Sequence, residues 1–366
     1  MSSLTAQDLE RYRRHLVLAE VGAEGQERLK AARVLIVGAG GLGSPSALYL
    51  AASGIGTLGI VDLDTVDVTN LQRQVLYATA DIGRPKTQAA RERLQALNPD
   101  LRVIEHPVEL GADNVMDIFR GYDLVLDGTD RIGTRYLVND ACVLLSKPLV
   151  SAAIHRFEGQ AMTYVPGKGP CYRCLFPEPS TEIPNCATAG VLGVLPGVLG
   201  TLQATEAIKL ILGIGSPLIG RLLTYDALDL VFREFAFKRR PDCAACGDHP
   251  TLTTPTDIDR PAGAVRSVSP RELQTLLRET VRPPLLIDVR DPEEFASGHL
   301  PGAHNMPVNE LERRLGEIAA GNDVVFICLS GKRSQAACVL ALRGGLRSPG
   351  HLEGGMLAWQ AVQGDG

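Results

Sequence analysis

The sequence carries no strong excess of charge of one sign. Its 37 basic side chains face 42 acidic ones, a formal net charge of −5 over 366 residues. That balance excludes a general electrostatic attraction for nucleic acid or an anionic membrane surface, and neither is expected as a partner. The opening segment, MSSLTAQDLERYRRHL, lacks the apolar stretch of a secretory signal. There is no internal repeat of fixed period. A run fit to cross a bilayer is also missing. The uncharged stretch 187–205 is long enough, but Thr188, Thr201, Gln203, Thr205, Pro196 and glycines at 190, 193, 197 and 200 break it, so it reads as a buried loop and helix. These absences predict a soluble, cytoplasmic protein. Charged residues at 22% and hydrophobic ones at 45% are ordinary for a folded chain and far from a disordered one.

The eight cysteines do not have the spacing of a disulfide framework. Four form two CxxC pairs, Cys171/Cys174 and Cys243/Cys246, and Cys142, Cys186, Cys328 and Cys338 stand singly. In an intracellular chain of this size such pairs point to metal or redox chemistry.

Residues 1–247 alternate apolar strand runs with helical patterns, the signature of an α/β domain with a mainly parallel sheet. Strands are expected at 32–38, 57–62, 101–106, 122–127 and 147–153, with helices at 44–53, 86–97 and 134–145. Residues 248–264, rich in Pro, Thr, Asp and Gly, read as a flexible linker. The strand pattern restarts at 283–289 and 323–329, so residues 265–366 are expected to form a second, smaller α/β domain.

The first strand runs into Gly38-Ala39-Gly40-Gly41-Leu42-Gly43, and a helix follows. This is GxGxxG in the context it requires: the glycines admit a phosphate close to the backbone, and the helix start offers amide donors. Asp62 closes the second strand, where a carboxylate can hold a ribose hydroxyl. By itself this fits NAD as well as ATP. Asp62 and Asp64 offer two carboxylates at one strand end, suited to ribose and to Mg²⁺. Thr69, Asn70 and Arg73, then Lys86 in the first turn of the next helix, bring polar groups and two cations to the same edge, which suits a triphosphate better than a dinucleotide. Asp130 follows another strand and could organise Mg²⁺ or orient the leaving group.

The pieces RYRRHL, GAGGLGSP, DLDTVDVTNLQRQ, DIGRPK, GTD, HRFEGQ, CYRC and NCATAGVLGVLPG occur in the order found in the MoeB/ThiF family, relatives of the ubiquitin-activating enzymes, and residues 4–247 resemble that family throughout. The resemblance implies ATP-dependent adenylylation of the C-terminal glycine of a small ubiquitin-like sulfur carrier ending in Gly-Gly. It implies ATP and metal contacts at the glycine loop around Gly41 and at Asp62, Asn70, Arg73, Lys86 and Asp130. Arg14 matches an arginine that reaches the partner subunit's site, which implies a homodimer. One position departs: Arg131 stands where the family usually has asparagine.

Four thiolates in two CxxC pairs meet the requirement of a closed tetrahedral zinc site. The competing redox reading would need a CxxC at a helix start in a thioredoxin-like unit. The family resemblance implies Zn²⁺ at the same four positions. Cys186, in a small-residue loop before an apolar helix, is either a small buried residue or a nucleophile toward acyl and persulfide groups. Cys142 and Cys338 read as core.

Cys328 ends a strand and opens the loop Cys328-Leu-Ser-Gly-Lys332-Arg333-Ser334 before a helix. Such a turn aims backbone amides inward, and Lys332 and Arg333 add positive charge, a setting for a persulfide anion or an incoming sulfur oxyanion. A phosphatase-like loop is the other option, but four residues separate Cys328 from Arg333 where that chemistry usually has five. Together with Ile287–Arg290, Asp291–Phe295, Gly298–Ala303 and Gly354–Trp359, the loop makes residues 265–361 resemble a rhodanese domain. The resemblance implies that Cys328 accepts sulfur as a persulfide, with Arg333 and the loop amides binding the donor, either thiosulfate or a cysteine desulfurase. The combined expectation is adenylylation followed by sulfur transfer to a carrier thiocarboxylate, for a sulfur-containing cofactor, tRNA or metabolite. The rival readings are an NAD-dependent oxidoreductase with an appended rhodanese module, and a non-catalytic carrier-binding scaffold.

Overall fold

A computed structural model describes residues 4–179, 190–255, 258, 265–279, 283–318, 323–346 and 349–364. The chain divides into two compact units at 258/259. Two backbone bonds, from the Thr251 and Leu252 amides to the Ala244 carbonyl at 3.0 and 2.9 Å, hold part of the expected linker. Leu252 also packs on the core of this unit. Neither contact leaves a periodic signal in sequence.

The first unit is built on an eight-stranded sheet in the order β3-β2-β1-β4-β5-β6-β7-β8. Its strands are β1 (Arg33–Val37), β2 (Thr57–Val61), β3 (Arg102–His106), β4 (Leu124–Asp127), β5 (Leu149–His155), β6 (Glu158–Tyr164), β7 (Arg221–Asp226) and β8 (Val231–Ala236). The first five are parallel and the last three add antiparallel. β1 shows why its sequence is apolar throughout. Val34 and Ile36 enter a core with the helices Gly43–Ser53, Lys86–Leu97 and Leu195–Leu212. Leu35 and Val37 enter the opposite core with Val115–Arg120 and Ile132–Leu144. A strand covered on both faces has no polar side to show.

Strand order reverses between β2–β1 and β4, and in a sheet of this kind the crevice at the carboxyl ends of such strands is where ligands bind. The helix Lys86–Leu97 has the expected bounds, whereas the helix after the glycine loop starts one residue early, at Gly43. The uncharged stretch becomes, from Leu195, a helix that continues to Leu212. Ser46 donates to the Gly200 carbonyl at 2.9 Å, seating this helix against Gly43–Ser53. No helix among the described residues is long and apolar enough to cross a membrane.

The second unit is a five-stranded, all-parallel sheet in the order β11-β10-β12-β13-β9. Its strands are β9 (Arg266–Val268), β10 (Leu285–Asp288), β11 (His304–Asn305), β12 (Val324–Ile327) and β13 (Gly350–Leu352). Val324, Phe326 and Cys328 face one core and Val325 and Ile327 the other. The expected α/β class with a mainly parallel first sheet is thus observed.

Candidate functional sites

The glycine loop leaves β1 at the switch point. Gly38 has φ +88° and sits against the loop after β4, where a Cβ would come within 3.0 Å of the Gly128 carbonyl. Gly43 is more constrained, since a Cβ there would lie 2.0 Å from the Gly38 carbonyl oxygen. Gly43→Ala should therefore force the turn open and lower nucleotide affinity at least tenfold, measured by calorimetric titration with ATP; unchanged affinity would show that the turn does not shape the site.

Beside this loop Lys86 is already paired with two carboxylates. Asp62 accepts from the Ala39 amide at 2.8 Å and from the Asp64 amide at 2.9 Å. Burial pushes its carboxyl up, and Lys86 and these amides work against that. Lys86, only 5% exposed, bonds Asp64 at 2.8 Å and lies 3.8 Å from Asp62. The two carboxylates expected to face ribose and Mg²⁺ thus hold the lysine, because a buried ammonium must find counter-charges. Arg73 donates to the Thr69 carbonyl at 2.9 Å, and its Cδ would be 3.7 Å from a Cβ at Gly41, which places it beside the glycine loop. Asp67 caps a short turn by accepting from the Thr69 amide and hydroxyl, and its own amide donates to Asn70. Asp130 is exposed, just past β4. Arg131 pairs with Glu109 at 2.7 Å. Arg14 is exposed on the helix Arg13–Leu16.

Next to these residues lies a polar layer in which Asp127 and Gln203 had no role assigned from sequence. Asp127, fully buried, accepts from the Thr129 amide and hydroxyl at 3.0 and 2.7 Å and from Ser151 at 2.9 Å. Arg135 lies 3.4 Å from Asp127 and donates to the Thr129 carbonyl at 2.8 Å. Gln203 donates to the Asp127 and Val150 carbonyls at 2.7 and 3.2 Å. The strand-end position of Asp127 was its only signal in sequence.

The two CxxC pairs converge, with their four sulfurs within 4.8 Å of one another. Cys171 and Cys243 are 3.7 Å apart and Cys174 and Cys246 are 3.4 Å apart. Sulfurs around a tetrahedral zinc with Zn–S bonds of about 2.3 Å would stand about 3.8 Å apart, so the donor set fits the ion in both chemistry and size. The Arg240 amide donates to Cys174 at 3.4 Å. Hydrogen bonds from neighbouring thiols, Cys171 first, draw Cys174 below the usual thiol range, and the same contact pushes Cys171 above it. Cys171 does precede a helical turn, Tyr172–Leu175. Its partners, however, are three further cysteines rather than a single redox mate. Cys186 lies outside the described residues.

In the second unit Cys328 is 1% exposed and sits in the loop between β12 and the helix Lys332–Arg343. The Gly331 amide donates to its sulfur at 3.1 Å, and Ser334 Oγ lies 3.4 Å away. Gly331 has φ +90°, a backbone region that favours glycine and turns its amide inward. Arg333 does not point freely at this sulfur. It makes a bidentate pair with Glu294 at 2.6 and 2.7 Å. Cys338 and Cys142 are fully buried; burial pushes Cys338 up to about 12 and Cys142 well above its usual range, as suits core thiols.

A glycine loop at the switch point of a parallel sheet, followed by a separate unit with a cysteine at a helix start, defines a two-domain nucleotide-site and thiol-site protein. The chain belongs to the ThiF family, whose model matches residues 12–245, and a rhodanese-like domain matches residues 269–362. It is 44% identical over 376 residues, 98% of this chain and 94% of the other, to a Mycobacterium tuberculosis protein named "Probable adenylyltransferase/sulfurtransferase MoeZ". It is 54% identical over 262 residues, 70% of this chain and 97% of the other, to the "Sulfur carrier protein adenylyltransferase" of Thermus thermophilus. Among solved structures, E. coli MccB with MccA-N7isoASN superposes with a TM-score of 0.59 at 25% identity, covering 67% of this chain and 76% of that one.

Proposed function

We propose that this protein uses ATP to adenylylate the C-terminal glycine of a ubiquitin-like sulfur carrier ending in Gly-Gly, then delivers sulfur from a Cys328 persulfide. The observation that carries this reading is the joining, in one chain, of a switch-point glycine loop flanked by Arg73 and Lys86 to a cysteine loop whose Gly331 amide already bonds the Cys328 sulfur. The relatives' names support both halves, and membership of the ThiF family favours adenylylation over hydride transfer.

ATP would lie on Gly38, Gly40, Gly41 and Gly43, with its ribose toward Asp62. A carboxylate oxygen of the carrier attacks the α-phosphorus and pyrophosphate leaves with the bonding electrons. The enzyme needs no nucleophile here, only alignment and charge neutralisation. Arg73 and Lys86 supply the latter, Lys86 by exchanging its exposed partner Asp64 for phosphate. Asp130 would hold Mg²⁺, and Arg14 of the partner subunit would complete the site in a homodimer. The terminal sulfur of the Cys328 persulfide then attacks the acyl carbon and AMP departs, leaving an acyl disulfide. A second thiolate, for which Cys186 is the candidate, attacks the Cys328 sulfur. The thiocarboxylate is released and a Cys186–Cys328 disulfide remains for an external dithiol to reduce. Zn²⁺ on Cys171, Cys174, Cys243 and Cys246 would be structural. The donor would be thiosulfate or a desulfurase-borne persulfide, and the setting the cytoplasm.

The test is pyrophosphate–ATP exchange with a candidate carrier. Exchange should depend on carrier, and Lys86→Met should lower it by about 10²-fold or more. Asp130→Ala should act likewise. Exchange that survives both substitutions, or a failure to bind ATP, would overturn the adenylylation reading.

A further inference from the structure

Arg333 is the one loop cation whose side chain is held in a defined place near Cys328, and it is held by carboxylates. Besides the bidentate Glu294 pair, Asp291 approaches it at 3.8 Å. Glu294 lies on the helix Pro292–Ala296, capped by Asp291, and also closes that cap by accepting from the Asp291 amide at 3.2 Å. The fold therefore presents Glu294 to Arg333 from an ordered element. Lys332 and Arg333 bring two positive charges to the loop, and Glu294 and Asp291 bring two negative ones. A dianion approaching Cys328 thus finds the loop's two cations matched by two carboxylates. To use the guanidinium it must displace a carboxylate that already satisfies both outer nitrogens.

We propose that Glu294 is a positioning residue that withholds Arg333 from small sulfur dianions, so that the Cys328 site discriminates against thiosulfate and favours a persulfide donor. This inference rests on the reading of Cys328 as the sulfur acceptor. The Arg333 hydrogen bonds hold the Glu294 carboxyl down at about 2, so mild acid does not open the pair. With thiosulfate, the Cys328 thiolate attacks the outer sulfur, and sulfite leaves with the electrons of the broken S–S bond. With cysteine persulfide, the thiolate attacks the terminal sulfur and cysteine thiolate leaves. Only the first donor brings a sulfonate head that needs a cation.

The experiment is steady-state sulfur transfer to cyanide by the full-length protein, with thiosulfate or cysteine persulfide as donor. Wild type is compared with E294Q, E294A, R333M and E294Q/R333M. Glutamine keeps the cap's acceptor, and alanine provides a second variant should glutamine perturb folding. E294Q should lower the thiosulfate KM about fivefold, the upper range for releasing a partly exposed ion pair. Its kcat and its KM for cysteine persulfide should stay near wild type. In the R333M background E294Q should have no effect. An unchanged or raised thiosulfate KM in both Glu294 variants would overturn the proposal, as would a fall that persists without Arg333. Failure of both donors to place a persulfide on wild-type Cys328, read by mass spectrometry, would instead overturn the acceptor role itself.

Discussion

Cys328→Ser should abolish carrier thiocarboxylate formation while leaving carrier-dependent pyrophosphate–ATP exchange within about twofold of wild type, because the two steps use separate sites. Serine keeps the shape of the loop and an acceptor for the Gly331 amide, which bonds the sulfur at 3.1 Å. It removes the only atom there that can carry a second sulfur. A hydroxyl at this position is a far weaker nucleophile than a thiolate and forms no persulfide. Adenylylation involves no protein nucleophile, so nothing in it calls on Cys328. Mass spectrometry of the carrier and exchange of labelled pyrophosphate read the two outcomes separately. Thiocarboxylate formed at the wild-type rate from a persulfide donor would make the second domain a non-catalytic appendage and restore the scaffold reading.

Cys243→Ser should lower both the melting temperature of the first unit, by about 10 °C, and the zinc content of the purified protein, while the transition of the second unit stays in place. Cys171 and Cys243 are 72 residues apart. A metal joining them would close a long loop and fix the segment after β8 to the helical turn after β6. Three of the four cysteines are buried. Removing one ligand would leave thiols packed beside a polarised Cys174 with no cation to bind, at a cost of several kcal/mol. Calorimetry alongside metal analysis of the purified protein checks this. Equal melting temperatures with equal zinc content would remove the metal from any structural role, and a zinc-free wild type of full stability would do the same.

Local pattern made much of this molecule legible. The helix Lys86–Leu97 was readable to the residue because Pro85 and Lys86 mark its start and its apolar face repeats at helical spacing. The glycine loop was readable because strand, glycines and helix are contiguous. The polar layer beside that loop was not. Gln203 reaches the Asp127 carbonyl from a helix 76 residues downstream, and no short-range spacing announces such a contact. The packing of Leu252 was hidden for a similar reason, since it joins a core that is assembled mostly from earlier parts of the chain.

The charged residues divide the same way. Their presence at strand ends and in the loop after β12 is a property of the sequence alone, as are the two α/β units and the CxxC spacing, since each depends on neighbours in the chain. Which charges meet was decided only by tertiary structure. Lys86 turns to Asp64, which lies 22 residues earlier, and Arg333 turns to Glu294, which lies 39 residues earlier. A cation withdrawn from water takes the carboxylate that packing brings within reach, and packing is set by the strand order of the whole sheet rather than by any segment of it.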